Sequence, residues 1–179
     1  MKKLSFMTLV LAIFIFACGL GQANAQTKFS TKFNISGDGE TTTTCGNRTL
    51  TTVTKNGQSK HTLRINRSVI YEWLNEDMSW GNKAAKAELA GFWKSENDNH
   101  FYNFKSDGTG SCSAIVSDIV QNFTYTTDGE ILFLNMTGFV NLSTKEKTDA
   151  NGGNPVMITY SIKGDRLTFI DHKATFIRK

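Results

Sequence analysis

Val156-Met157-Ile158-Thr159-Tyr160-Ser161-Ile162-Lys163-Gly164-Asp165-Arg166-Leu167-Thr168 is the stretch that decides the fold. Val156, Ile158, Tyr160 and Ile162 alternate with Met157, Thr159, Ser161 and Lys163, a period of two that puts apolar groups on one face of a strand and mostly polar groups on the other. Gly164-Asp165 is turn chemistry, and a further strand candidate follows it. Residues 91–179 repeat this design. Candidate strands run over 92–96, 100–105, 110–117, 121–127, 130–136, 138–143, 156–163, 166–171 and 174–178, with further turns at Asp107-Gly108, Asp128-Gly129 and Asn151-Gly152-Gly153. One proline and 15 glycines among short apolar stretches point to a meander of hairpins rather than βαβ units. A meander of about eight short strands leaves two exposed edges unless it closes, so the expected fold is mainly β, an up-and-down barrel with room for side chains or one small ligand.

Upstream of the barrel the pattern changes twice. Residues 27–66 are Thr-rich and polar, and 48–55 and 58–65 flank Asn56-Gly57, a pair suited to a type I′ turn because both central residues need positive φ. Thr62, Leu63, Arg64 and Ile65 alternate as a half-buried strand does. Val69, Ile70, Trp73 and Leu74 then recur at the spacing of a helix stripe, with Ser68 as its N-cap, and residues 83–90 are strong helix formers stopping at Gly91. The expected organisation is a signal peptide at 1–25, an N-terminal β segment with a hairpin at 26–66, a short helical linker of two pieces at 67–90 and the barrel at 91–179.

The leader reads as a secretory signal: Lys2 and Lys3, an apolar run over residues 4–20, and Ala23-Asn24-Ala25 before Gln26. Its apolar core is shorter than the roughly 20 residues that span a bilayer, and no later stretch approaches that length. The expected compartment is extracytoplasmic, secreted or periplasmic. The alternative is a lipoprotein processed at Ile15-Phe16-Ala17-Cys18 and anchored through Cys18; Phe16 is bulky for such a site. Loss of Lys2 and Lys3, with no acid in the leader, takes the formal charge from +4 to +2. With no basic run downstream, nucleic acid is not an expected partner.

Cys45 and Cys112 remain beyond the leader. In an oxidising compartment they are candidates for one disulfide, closing a loop of about 66 residues and stabilising by about 4 kcal/mol on the chain-entropy model; the alternative is two buried thiols. No spacing of His61, His100 or His172 with Cys, Asp or Glu reads as a metal cage or triad, and His100 reads as solvated in a polar turn. Gly37-Asp38-Gly39-Glu40 and Asp107-Gly108-Thr109-Gly110 read as hairpin turns rather than cation loops. No cofactor, metal or catalytic set is expected, and the chain is not expected to be an enzyme. The sequons at Asn34, Asn47, Asn66, Asn122, Asn135 and Asn141 read as a by-product of an Asn- and Thr-rich composition.

Gly91-Phe92-Trp93, then Phe101-Tyr102-Asn103-Phe104 leading into Ser106-Asp107-Gly108-Thr109-Gly110, resembles the opening of the small bacterial lipocalin-like domains. Phe123-Thr124-Tyr125 with Asp128-Gly129, Ile158-Thr159-Tyr160-Ser161-Ile162 with Gly164-Asp165-Arg166-Leu167-Thr168, and the closing Thr175-Phe176-Ile177-Arg178 are similar to that family's later strands. The resemblance covers roughly residues 88–179. It implies a calycin-type barrel in which Trp93 plugs one end and Arg178 packs across its indole, a structural pair. It also implies a small apolar or amphipathic ligand in the barrel, for which Tyr102, Phe104, Phe123, Tyr125, Phe133 and Tyr160 are the candidate contacts. The alternative is an interaction module with a filled barrel, docking to a protein or the cell envelope through residues 27–87, with an apolar patch around Ile70, Trp73 and Trp80.

Overall fold

Asn56 and Gly57 sit at φ 51° and 75°, the left-handed pair that a two-residue turn between right-twisted strands requires. They join β3 (Arg48–Lys55) to β4 (Gln58–Ile65), paired in register from Lys55↔Gln58 to Arg48↔Ile65. The structure is a computed structural model that describes residues 28–33, 38–74, 77–113, 118–150 and 155–179. The leader with Cys18, the sequon at Asn34 and the Asn151-Gly152-Gly153 turn lie outside the described residues. With β1 (Lys28–Phe33), β2 (Gly39–Cys45) and β5 (Ser68–Leu74), the hairpin forms a five-stranded antiparallel sheet in simple sequence order.

The helix expected from Ser68 is a strand. Asn66 and Arg67, both at positive φ (49° and 72°), turn the chain after β4, a signal that carries no glycine to announce it. β5 then pairs back as Leu63↔Tyr71, Thr62↔Glu72 and His61↔Trp73. The stripe Val69, Ile70, Trp73, Leu74 is split accordingly: Trp73 is buried, whereas Val69, Ile70 and Leu74 are exposed. β-branched and aromatic residues favour the extended form wherever a partner strand is available. Among its described residues the linker holds one helix, α1 (Lys83–Leu89), capped by Asn82, whose Oδ1 accepts from the N–H groups of Ala84 and Ala85 at 3.0 and 3.1 Å.

After α1 the chain runs through β6 (Gly91–Ser95), β7 (Phe101–Phe104), β8 (Thr109–Ser113), β9 (Ile119–Thr127), β10 (Ile131–Asn141), β11 (Lys147–Asp149), β12 (Val156–Lys163), β13 (Arg166–Phe169) and β14 (Ala174–Arg178). Hydrogen bonding follows β10-β12-β13-β14-β6-β7-β8-β9 and returns to β10, a closed antiparallel barrel of eight strands. β11 adds to the far half of β10, at Gly138 to Val140. The two strands expected at 130–136 and 138–143 are one, irregular against β9 between Met136 and Gly138.

β10 shows why its faces are hard to read from sequence. Leu132 and Leu134 point into the barrel, while Ile131 and Phe133 point outward into a second apolar cluster with Cys45, Leu50, Leu63, Trp73 and Met157. The N-terminal sheet covers this outer wall, so the strand is apolar on both faces. The same wall explains the cysteines. Cys112 belongs to the interior cluster and Cys45 to the outer one, so the expected Cys45–Cys112 disulfide is not made and both side chains are buried.

Candidate functional site

The first and last strands of the barrel are joined by side chains as well as by backbone pairing. Trp93 on β6 is fully buried, and its Nε1 donates to the carbonyl of Leu89 at 2.7 Å. Arg178 on β14 lies in register with Trp93, its guanidinium carbon 4.2 Å from the indole centroid. Its Nη1 and Nη2 donate to the carbonyls of Ala90 and Glu88 at 2.8 and 2.7 Å, groups that the end of a helix leaves without intrahelical partners. The guanidinium thus ties the first strand, the last strand and the end of α1 together.

Tyr102, Phe104, Phe123, Tyr125 and Tyr160 all face the interior. They pack on one another: Tyr102–Phe104 centroids are 5.7 Å apart, Phe104–Phe123 5.5 Å and Phe104–Tyr125 5.0 Å, with Phe169 and Phe176 closing on Tyr102 at 5.1 and 5.2 Å. The fit is tight enough to need a glycine. A methyl at Gly110 would overlap the Phe123 ring and come within 2.7 Å of the Asn103 carbonyl oxygen. Tyr125 donates to the Lys105 carbonyl at 2.7 Å, and burial pushes its phenol up to about 12; burial likewise raises Tyr160, which bonds Thr127 at 3.0 Å. Both phenols are therefore held neutral. Cys112 and the buried Gln121, 3.6 Å apart, add polar groups to the same interior.

Phe133 is a correction among the candidates. It points away from the interior and packs edge-on against Trp80 at 5.0 Å and Trp73 at 6.5 Å. Its strand has no apolar-polar alternation from which its face could be read.

The junction between sheet and barrel holds the residues that sequence reasoning missed. Arg48 bonds Asp128 at 2.9 Å and Glu130 at 2.6 Å; burial opposes its charge, but the two carboxylates more than offset this and raise its pKa. Asn82 donates its backbone N–H to Thr127 O at 2.7 Å, and the Thr126 hydroxyl donates to Trp80 O. Beside these contacts Tyr71, Trp73, Trp80 and Phe133 pack ring to ring, with His61 5.1 Å from Trp73 and its Nδ1 2.8 Å from the Thr52 hydroxyl. Trp73 Nε1, Trp80 Nε1, Thr124 Oγ1 and both amide atoms of Asn135 are buried here without a hydrogen-bond partner. A lone Asn inside Ile131-Leu132-Phe133-Leu134-Asn135-Met136 was the available clue.

His100 pairs with Asp98 at 3.0 Å in an exposed turn, beside an open hollow of about 650 Å3 lined by Lys94, Glu96, Asp98 and Lys179 among others. Among the described residues no group of three or more His, Cys, Asp or Glu side chains is placed to hold a metal ion, and no helix is long and apolar enough to cross a membrane.

No curated protein and no solved structure gives a significant match to the chain. Residues 87–178 match the family of unknown function DUF5640, a match that spans every barrel strand and just over half of the sequence, and the chain belongs to that family.

Proposed function

We propose that this protein is an exported, lipocalin-like interaction module without catalytic activity, in which a filled barrel supports a sheet that docks another protein. One observation carries the reading. β5 is the last strand of the N-terminal sheet, its outer edge pairs with no described strand, and it exposes Val69, Ile70 and Leu74. An edge strand offers unpaired backbone donors and acceptors, and large apolar side chains beside them add affinity to strand addition. The ring-to-ring packing of Tyr102, Phe104, Phe123 and Tyr125 supports the filled interior. The leader over residues 1–25 supports export.

The test is cross-linking and affinity capture of the full mature chain from the cell envelope, compared with Ile70→Lys. Exposed surface changes usually alter stability by no more than about 0.5 kcal/mol, so the variant stays folded. Partners captured by the native chain and lost with Ile70→Lys support the reading. An unchanged partner set counts against it.

A second reading, a small apolar or amphipathic ligand inside the barrel, is favoured by the Cys112–Gln121 pair set among Tyr102, Phe169 and Phe176. A few polar groups in an apolar enclosure orient such ligands. Native mass spectrometry and displacement of a fluorescent fatty acid test it, and a broad panel without binding removes it.

A further inference from the structure

The five unpartnered polar atoms at the junction of sheet and barrel form one patch. Phe133 and Asn135 follow each other on the outer face of β10, and across from them on β9 stand Thr126 and Thr124. Trp80 lies on Phe133, is tied to Thr126 through its carbonyl, and is 4.7 Å from Trp73. Asn135 is 1 % exposed and Trp73 5 %, yet neither end of the Asn135 amide nor the Trp73 indole N–H meets a partner. Buried side-chain polar atoms are in the large majority bonded, so orphans gathered on four neighbouring residues ask for a common ligand.

Their chemistry specifies it. Trp73 Nε1, Trp80 Nε1 and Asn135 Nδ2 only donate, Asn135 Oδ1 only accepts, and Thr124 Oγ1 does both. A matching molecule accepts and donates from its edge and presents apolar faces to the rings of Trp73, Trp80 and Phe133. It is also neutral, because an ion enclosed here would lack a counter-charge: the Arg48 guanidinium is engaged by Asp128 and Glu130, and His61 Nδ1 by Thr52. We infer that this junction is a binding site for a neutral sugar ring, whose hydroxyls meet the amide, the indole N–H groups and the Thr124 hydroxyl while its C–H faces lie on Trp73 and Trp80. Trp80 is its cover. It belongs to residues 77–80, which form neither strand nor helix, and it rests on the barrel through the Phe133 ring and the Thr126 bond. On this inference Trp80 moves aside to admit the ring while the barrel strands stay paired.

Intrinsic tryptophan fluorescence and calorimetric titration of the full mature chain with D-glucose, D-galactose, D-mannose and N-acetyl-D-glucosamine test the site, with D-glucuronate as the charged control. The expected result is saturable binding of at least one neutral sugar with a shifted tryptophan emission, weakened at least about tenfold by Asn135→Leu and by Trp80→Ala, and no binding of glucuronate. Asn135→Leu is also expected to keep or raise the Tm of the sugar-free protein, since an apolar group of similar shape removes two unmatched polar atoms. Ile70→Lys leaves the sugar titration unchanged, which separates this site from the docking edge. Flat titrations for all four sugars overturn the inference, as does equal binding by Asn135→Leu, or a crystal structure after sugar soaking in which ordered water alone bonds the Asn135 amide.

Discussion

Arg178 lies over the Trp93 indole, 4.2 Å from guanidinium carbon to ring centroid, and so the last strand of the barrel is locked to its first. The cation–π contact and the hydrogen bonds to two helix-end carbonyls meet in that one side chain, beside the backbone pairing of β14 with β6. Trp93→Ala is expected to cost about 3 to 5 kcal/mol, the range for a large buried aromatic. Arg178→Ala is expected to cost about 1 to 2 kcal/mol, because the guanidinium is partly exposed and water replaces some of its bonds. Urea unfolding of both variants measures this; a Trp93→Ala loss below that of Arg178→Ala would sink the plug assignment.

Gly110 is a packing residue. Gly110→Ala drives a methyl into the Phe123 ring and towards the Asn103 carbonyl, and the paired backbone of β7 leaves it no room. The expected cost is about 1 to 3 kcal/mol, the usual penalty for overfilling a packed core. Phe123→Leu, destabilising alone, is expected to give a double variant better than additive, since the smaller side chain yields the space. Additive losses would place the strain elsewhere.

Cys45 and Cys112 lie in separate clusters and are not bridged to each other. Denatured without reductant, the mature chain is expected to take up two maleimide labels, at Cys45 and Cys112, while the native protein labels slowly because both are buried. Reductant is expected to leave Tm unchanged. An intact bridge would instead block labelling, and reducing it would remove about 4 kcal/mol.

Burial lowers the pKa of His172 from its ordinary 6.5, against the opposing charge of Asp171. The folded chain therefore takes up that proton later than the unfolded chain as pH falls. The unfolded state binds more protons below about 6.5, and stability declines from there towards the depressed folded value. Tm measured between pH 7.5 and 5 is expected to fall less steeply in His172→Asn than in the native chain. Parallel slopes would take His172 out of the acid response.

Much of the barrel was legible because its causes are local. The alternation over residues 156–163 and the Gly164-Asp165 turn mark a strand and a hairpin wherever they occur, since side chains on a strand change face at every residue. Asn56-Gly57 likewise announces its hairpin through the backbone angles it accepts. Closure followed from the need of a meander to hide its edges, whereas the change of period at Ser68 misled, because the sheet runs on through β5 into the stretch expected to be helical linker. The interior face was readable at Tyr102, Phe104, Phe123, Tyr125 and Tyr160 for the same reason.

Contacts between distant segments decided the rest. Val69, Ile70, Trp73 and Leu74 fit a helix stripe or a strand equally well, and pairing with β4 selected the strand. Phe133 sits in a run apolar on both faces, so only the sheet lying against β10 shows which way it points. Cys45 and Cys112 have the spacing of an acceptable disulfide loop, but the barrel wall falls between them. The Asn135–Thr124–Trp80 patch draws on strands β9 and β10 and a segment far upstream, and no local pattern carries it. Sequence by itself determined the elements whose energetics lie within a few residues; the tertiary structure alone decided faces, partners and the junction site, because burial is a property of what another segment covers.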